Sequence, residues 1–283
     1  MRIASNPASR SPDPAVYLQP IGVHHPRVKQ VLDLQRNAVP NGQQLFVAEG
    51  LWAHNAVLAA QAPIHSFLYC PEAGYSDEVR TRAVQIVARA TQAYRVSEKT
   101  FARISERDRP DGLISVSQLP KWSPDTVPVT DDGLILVADG LEIPGNLGTL
   151  IRTLDACRAD CLVLTNRRTR LTHPKVFRGS HGTTLSVPAV EFDEPAAAAA
   201  WLGSLGCTVY LADTDDAVAY RAGDYRGRTA IVVGSERFGI SPPWYEHGFP
   251  RVCVPMLGRG DSLNVAVSAS VLLYEARARK NRW

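Results

Sequence analysis

Three short stretches of this sequence hold polar residues whose types and spacing could do chemistry. The first is "DGLEIPGNLGTLIRT", residues 139 to 153. Pro144 and Gly145 suit a turn, Asn146 is placed to cap the following helix by accepting from its free amides, and Arg152 lies within two turns on a related face. A guanidinium there could hold a phosphate or a developing negative charge; the plain alternative is a cap and a surface charge. The second is "VVGSERFGIS", residues 232 to 241, where an apolar strand delivers Gly234, Ser235 and Glu236 onto a loop and Gly239 allows a tight return. Such loops let backbone amides approach a ligand closely. The third is "VPMLGRGDSLNVAVSAS", residues 254 to 270. Its glycine loop hands over to Ser262, Leu263 and Asn264, with Ser262 or Asp261 as the expected cap of a helix rich in small residues. Arg259, Gly260 and Asp261 also spell an adhesion tripeptide, which would require an export route.

Elements that could position these stretches are legible around them. "LILVADG", "CLVLTN", "TVYLAD", "TAIVVGSE" and "RVCVPM" are apolar strands ending in polar or glycine-rich positions, and helical spacing intervenes at 147 to 157, 195 to 204 and 263 to 280. Continuous apolar strands alternating with helices predict an α/β fold whose mostly parallel sheet is covered on both faces. Ligands of such sheets bind at the carboxyl ends of the strands, where the three stretches fall. Upstream, "LFVAEG", "HSFLYC" and "GLISVS" read as strands, and "LWAHNAVLAAQ" and "SDEVRTRAVQIVARA" as helices. This predicts a smaller α/β domain over 25–118, after a flexible tail over 1–24. The proline-bearing segment 119–133 is expected as a linker to a second domain over 134–283.

Composition narrows the chemistry. At 283 residues and 45% hydrophobic, the chain can bury a substantial core. No apolar run approaches the ~20 residues of a membrane span, and the start lacks the apolar stretch of a secretory signal. Cys70, Cys157, Cys161, Cys207 and Cys253 form no CxxC pair and have no histidine at zinc-finger spacing, so reduced thiols, a cytoplasmic location and no metal are expected. That also counts against the adhesion tripeptide. The net charge of +3 is mild, but Arg152, Arg158, Arg167, Arg168, Arg170, Lys175 and Arg178 face only Asp155 and Asp160 across their span. Arginine dominates this patch, and its fork suits phosphate, which points to a polyanion. Neither GxGxxG nor GxxxxGK[ST] occurs, which removes support for the usual dinucleotide and triphosphate sites.

Taken in order, N-x-G-x-x-x-R, G-S-E-x-x-G-I-S, and V-P-M followed by S-L-N-V-A-V-S resemble the motifs of the SpoU/TrmH family of SPOUT RNA 2′-O-ribose methyltransferases. "HPKVFRGSHGTTLSVP" resembles the family's arginine-serine-glycine segment through Arg178, Ser180 and Gly182. The layout is also similar to the thiostrepton-resistance type of ribosomal RNA methyltransferase. The resemblance implies a carboxyl-terminal SPOUT domain with a deep trefoil knot, and a smaller amino-terminal substrate domain of ribosomal-protein type. It implies S-adenosyl-L-methionine held by Leu211, Gly234, Glu236, Val254, Met256, Ser262, Leu263 and Asn264. It further implies a catalytic set of Arg152, Asn146, Glu236, Ser262 and Asn264, RNA contacts from Arg152, Arg178 and Ser180, and a homodimer joined through the knotted domains.

The sulfonium already activates the methyl group, so the protein must mainly align the attack and help a ribose hydroxyl lose its proton. An arginine keeps its own proton, so Arg152 is expected to hold a phosphate and stabilise the developing alkoxide rather than act as the base. One departure is "DACRADC", where Cys157, Arg158 and Ala159 stand at a helix exit that usually shows glycine in the family, and Arg158 is expected there as an added RNA contact. The implied substrate is ribosomal RNA, with transfer RNA as the alternative; a non-catalytic RNA-binding protein that keeps the knotted fold is the other reading.

Overall fold

The computed structural model describes residues 13–37 and 40–283. They divide into two compact units, with the boundary along the chain between Gln118 and Leu119. In the amino-terminal unit the elements are β1 (Gln19–Ile21), α1 (Pro26–Gln35), β2 (Leu45–Glu49), α2 (Leu51–Ala59), β3 (Ile64–Tyr69), α3 (Asp77–Val87), β4 (Ala93–Val96), α4 (Glu98–Ile104) and β5 (Leu113–Gln118). Its sheet runs β1-β4-β3-β5-β2, parallel through the first three strands and antiparallel through β5 and β2. Val28, Val31 and Leu34 of α1 join Phe101 and Ile104 of α4 in covering Leu68, Ile114 and Val116. The expected tail differs here: residues 1–12 lie outside the described residues, while Gln19–Ile21 is a sheet strand in register with Tyr94–Val96. It escaped the sequence pattern because a short edge strand offers too few residues for a period.

The carboxyl-terminal unit alternates strand and helix: β6 (Leu134–Asp139), α5 (Pro144–Ala156), β7 (Cys161–Thr165), α6 (Pro174–Gly179), β8 (Ala189–Glu191), α7 (Pro195–Ser204), β9 (Thr208–Ala212), β10 (Val218–Ala219), β11 (Thr229–Val233), β12 (Arg251–Cys253) and α8 (Val265–Asn281). All its pairs are parallel, in the order β10-β12-β9-β11-β6-β7-β8. The inner strands β6, β7 and β11 are buried at every residue, as their unbroken apolar runs require. Ala198, Ala199 and Leu202 of α7 pack with Trp244 on one face, against Val137, Val163, Val209 and Val232. Helices α5 and α8 pack on each other, and α8 also packs on β6 and β11.

Residues 119–133 are not a free linker. Val127 is buried in the same core as Val137 and Trp244, and the Thr130 amide and hydroxyl donate to Asp160 at 3.0 and 2.7 Å. Helix α5 starts at Pro144, ahead of the expected residue 147, because proline at the first helical position lacks only an amide that would be unpaired anyway.

One buried group ties the amino-terminal unit to pH. His54 of α2 is fully buried, with Nδ1 2.8 Å from the Gly50 carbonyl, so Nδ1 carries the proton. Burial lowers its pKa from 6.5 to about 4. Between those values the unfolded chain takes a proton that the folded state refuses, so stability falls as pH drops through that window and is unaffected above it. We expect urea unfolding of this unit to lose up to about 3 kcal/mol between pH 7 and pH 4 relative to His54→Gln, measured side by side. Parallel pH profiles of the two proteins would contradict the burial argument.

Candidate functional site

A cleft of about 530 Å³ opens at the carboxyl ends of β9, β11 and β12. Gly234, Glu236, Val254, Met256, Ser262, Leu263 and Asn264 line it, so the second and third motifs converge although they lie in separate loops. Leu211 does not line it. That side chain is fully buried in the core beneath the sheet, and the next residues, Ala212, Asp213 and Thr214, reach the cleft instead. The strand simply ends one residue later than the motif match placed it.

Asn146 supplies the link to the first motif. It is not the helix cap: Ile143 holds that position, and Asn146 sits inside the first turn of α5. Its side chain is therefore free to donate through Nδ2 to Glu236 Oε1 at 2.6 Å, while its Oδ1 accepts from Asn264 Nδ2 at 3.2 Å. Glu236 Oε2 also accepts from the Glu142 amide at 3.2 Å. Asn264, rather than Ser262 or Asp261, caps α8, accepting from the Ala266 amide at 2.9 Å. Ser262 turns its hydroxyl to Asp261 at 3.1 Å. The first turn of α5, the loop after β11 and the start of α8 are thus joined by one run of side-chain hydrogen bonds.

The loop after β11 is held by its own glycines and by a buried acid. A Cβ on Gly234 would lie 2.0 Å from the Gly239 carbonyl carbon, and Ser235 and Gly239 exchange backbone hydrogen bonds of 2.9 and 3.1 Å. Gly239 has φ +68°, which favours glycine. Asp139, 1% exposed at the end of β6, accepts from the Ser241 amide at 2.7 Å through Oδ2. Its Oδ1 accepts from Thr165 Oγ1 at 2.8 Å and Asn166 Nδ2 at 2.7 Å. Sequence reasoning did not single out Asp139; an acid closing an unbroken apolar strand was the available signal. Asp213 was also missed. It accepts from the Tyr245 hydroxyl at 2.6 Å and the Thr214 amide at 2.7 Å. Burial works against its charge, but these donors hold the Asp213 carboxyl below its usual range.

The arginines lie apart from the cleft lining. Arg152 is exposed on α5, nearly two turns beyond Asn146, and makes no hydrogen bond or ion pair to a described residue. Arg178 is exposed on α6. Their helices touch at Gly148, where a Cβ would come within 2.8 Å of the Val176 carbonyl oxygen and 2.9 Å of Gly179 Cα. That close approach gives the glycine of the first motif its reason. Ser180 differs from expectation: it is fully buried, and its hydroxyl donates to the Phe177 carbonyl at 3.0 Å, so it is not presented to a macromolecule. Arg158 adopts φ +51°, the left-handed conformation that glycine would hold at this helix exit. Arg277 donates to the Cys157 and Arg158 carbonyls at 2.8 and 2.6 Å, closing the helix end despite the substitution.

The cleft fits an adenosine-bearing ligand. Val233, Val252, Val254 and Leu272 offer apolar walls for a planar base, and its size lies within the ~300–1,000 Å³ of small-molecule pockets. Among the described residues, 256–263 make no hydrogen bond to other backbone, which leaves their amides and carbonyls for a ligand's polar edge.

Residues 133–274 match the model of the SpoU rRNA Methylase family, and residues 25–115 match the MRM3-like substrate binding domain. The 23S rRNA (guanosine(2553)-2′-O)-methyltransferase RlmP of Bacillus subtilis (strain 168) is 29% identical over 70% of this chain and 77% of its own length. An AdoMet-bound rRNA methyltransferase from Sinorhizobium meliloti has the same fold at TM-score 0.81 and 25% identity, covering 90% of this chain and 95% of its own. A solved RNA 2′-O ribose methyltransferase is 30% identical, with TM-score 0.76 over 93% of this chain and 100% of its own.

The geometry of the loop after β11 makes a direct prediction. Gly234→Ala forces the Ser235–Gly239 turn apart and should weaken S-adenosylmethionine binding at least tenfold by calorimetry, with the circular dichroism spectrum retained. Unchanged affinity would show that the turn does not shape the cleft.

Proposed function

The chain belongs to the SpoU rRNA methylase family, and on that premise we propose that it transfers the methyl group of S-adenosylmethionine to a ribose 2′-hydroxyl of ribosomal RNA. The observation that carries this reading is the joining of Asn146, Glu236 and Asn264 at the rim of an apolar-walled cleft. When bound, S-adenosylmethionine supplies a methyl group on a positively charged sulfur. What remains for the protein is to position the acceptor and to stabilise the charge that builds on its oxygen.

Val233, Val252, Val254 and Leu272 hold the adenine ring, and the loop backbone at Gly234 and Met256 to Leu263 takes its polar edge. Glu236 fixes the Asn146 amide, and Asn146 in turn fixes Asn264 beside Ser262, so these polar groups orient the methionine end and the ribose. Arg152, with no partner among the described residues to compete for its guanidinium, grips the phosphate of the target nucleotide and stabilises the developing alkoxide. Arg158 and Arg178 add phosphate contacts on the neighbouring helix ends. The amino-terminal unit presents a structured RNA, which favours ribosomal over transfer RNA, and a ribosomal substrate fits a cytoplasmic location.

The same reading includes a trefoil knot formed where the segment 254–264 leads into α8, and a homodimer built on that domain. The exposed Val267 and Tyr274, seven residues apart on one stripe of α8, suit such an interface.

Labelled methyl from S-adenosylmethionine should enter rRNA taken from cells lacking the protein, and nucleoside analysis should find it on a 2′-O-methylribose; label found only on a base contradicts the reading. Arg152→Ala should lower kcat at least about a hundredfold while S-adenosylmethionine affinity stays within twofold of the parent. Lost cofactor affinity would move Arg152 out of the role assigned to it.

A further inference from the structure

A second cleft, of about 320 Å³, lies at the same carboxyl edge of the carboxyl-terminal sheet, at the ends of β7 and β8. It is lined by Asn166, Arg167, Arg168, Glu191, Phe192 and Asp193, none of which the mechanism uses. Its two arginines are not equivalent. Arg167 Nε is 3.0 Å from Glu191 Oε2, which fixes that guanidinium against the wall and balances its charge. Burial pushes the Glu191 carboxyl up and Arg167 draws it back down, as for an acid held in place by its partner. Arg168 is exposed and makes no hydrogen bond or ion pair to a described residue. Asp193, also exposed, has neither. The cleft therefore presents one uncommitted cation and one uncommitted acceptor, with the half-buried Phe192 between Glu191 and Asp193 packed on Trp201.

The floor of this cleft is tied to the cofactor cleft. Asn166 holds φ +48°, and its Nδ2 donates both to Asp139 and, at 3.1 Å, to the Ser241 hydroxyl. Asp139 in turn holds the Ser241 amide at the end of the loop that carries Gly234 and Glu236. Thr169, just beyond the arginines, donates to the Glu142 carbonyl at 2.8 Å, while the Glu142 amide binds Glu236. In the strand order β11 and β7 are separated only by β6, so their ends are about 10 Å apart. That is within reach of a nucleotide flanking the methylated one on the same RNA strand.

We propose that the β7–β8 cleft seats a nucleotide flanking the methylated one, with Arg168 on its phosphate and the Asp193 carboxylate accepting from N–H donors of its base. The assignment rests on the RNA methyltransferase reading and deepens it. Two uncommitted charges of opposite sign suit a nucleotide better than an inorganic anion, which Asp193 would repel. A guanidinium fork matches phosphate oxygens, and a carboxylate matches the paired N–H groups of a guanine edge or the amino group of cytosine. The cleft would then choose which ribose is methylated by its neighbour, without touching the reacting atoms.

The test measures binding of rRNA from cells lacking the protein, across a series of salt concentrations, for wild type, Arg168→Ala, Asp193→Asn and the surface control Arg226→Ala. S-adenosylmethionine calorimetry on each protein checks that the fold and cofactor cleft are intact. We expect both cleft variants to bind rRNA about tenfold more weakly with unchanged cofactor affinity. Arg168→Ala alone should lower the slope of log affinity against log salt by about 0.7, the loss of one single-strand phosphate contact. Cleft variants that bind rRNA like Arg226→Ala, while wild type still methylates it, would overturn the cleft assignment alone. Absence of methyl transfer by wild type would instead overturn the reading on which it rests.

Discussion

The hydrogen bonds joining Asn146 to Glu236 and Asn264 to Asn146 connect segments that are about ninety and twenty-eight residues from Glu236 along the chain. Each of these side chains has a local task as well. Asn264 starts α8 by capping it, Glu236 pins the turn before α5 through the Glu142 amide, and Asn146 joins the two. If any one is lost, two elements lose a fixed relation at the mouth of the cleft. A polar run of this kind is worth more than isolated pairs, because each member is oriented by the next. The cleft depends on it because its own walls are apolar strand ends, which give area without direction.

Beneath that run lies a second, buried one centred on Asp139. A carboxylate at 1% exposure is costly unless donors surround it, and here the Ser241 amide, Thr165 hydroxyl and Asn166 amide do so. The donors come from the ends of β7 and of the loop after β11, so satisfying the acid sets the heights of both relative to the central strand β6. The glycines work to the same end by allowing contact where a side chain would intrude: Gly234 against Gly239, and Gly148 against Gly179. Acid and glycines together make the carboxyl edge of the sheet a rigid platform, and the arginines project from the helices around it.

Much of this was legible in the residues. The unbroken runs at 134–139, 161–165 and 229–233 announced buried parallel strands because nothing polar interrupts them. Helix α7 fell on its expected bounds, 195 to 204, where proline marks the start. What pattern reading could not see was pairing at a distance. Asn146 looked like a cap because local spacing cannot distinguish a side chain bonded to its own helix from one bonded to Glu236. Ser180 looked like an RNA contact because burial is not written in a motif. Leu211 stood one residue short of the cleft, since side chains alternate along a strand and a shift of one moves a residue from rim to core. The elements β1, β4, α4, β8, β10 and α6 were missed for want of length, α1 was missed despite its ten residues, and the helix exit where Arg158 replaces glycine is closed by Arg277 from far along the chain.

In this reading Asn146 and Glu236 act as one unit in shaping the cleft proposed for the cofactor. A double-mutant cycle on S-adenosylmethionine affinity, using Asn146→Ala, Glu236→Ala and the pair, tests it most directly. We predict a coupling energy of about 1–2 kcal/mol, with the double variant binding little worse than the weaker single one. Losses that simply add, within about 0.3 kcal/mol, would contradict the account.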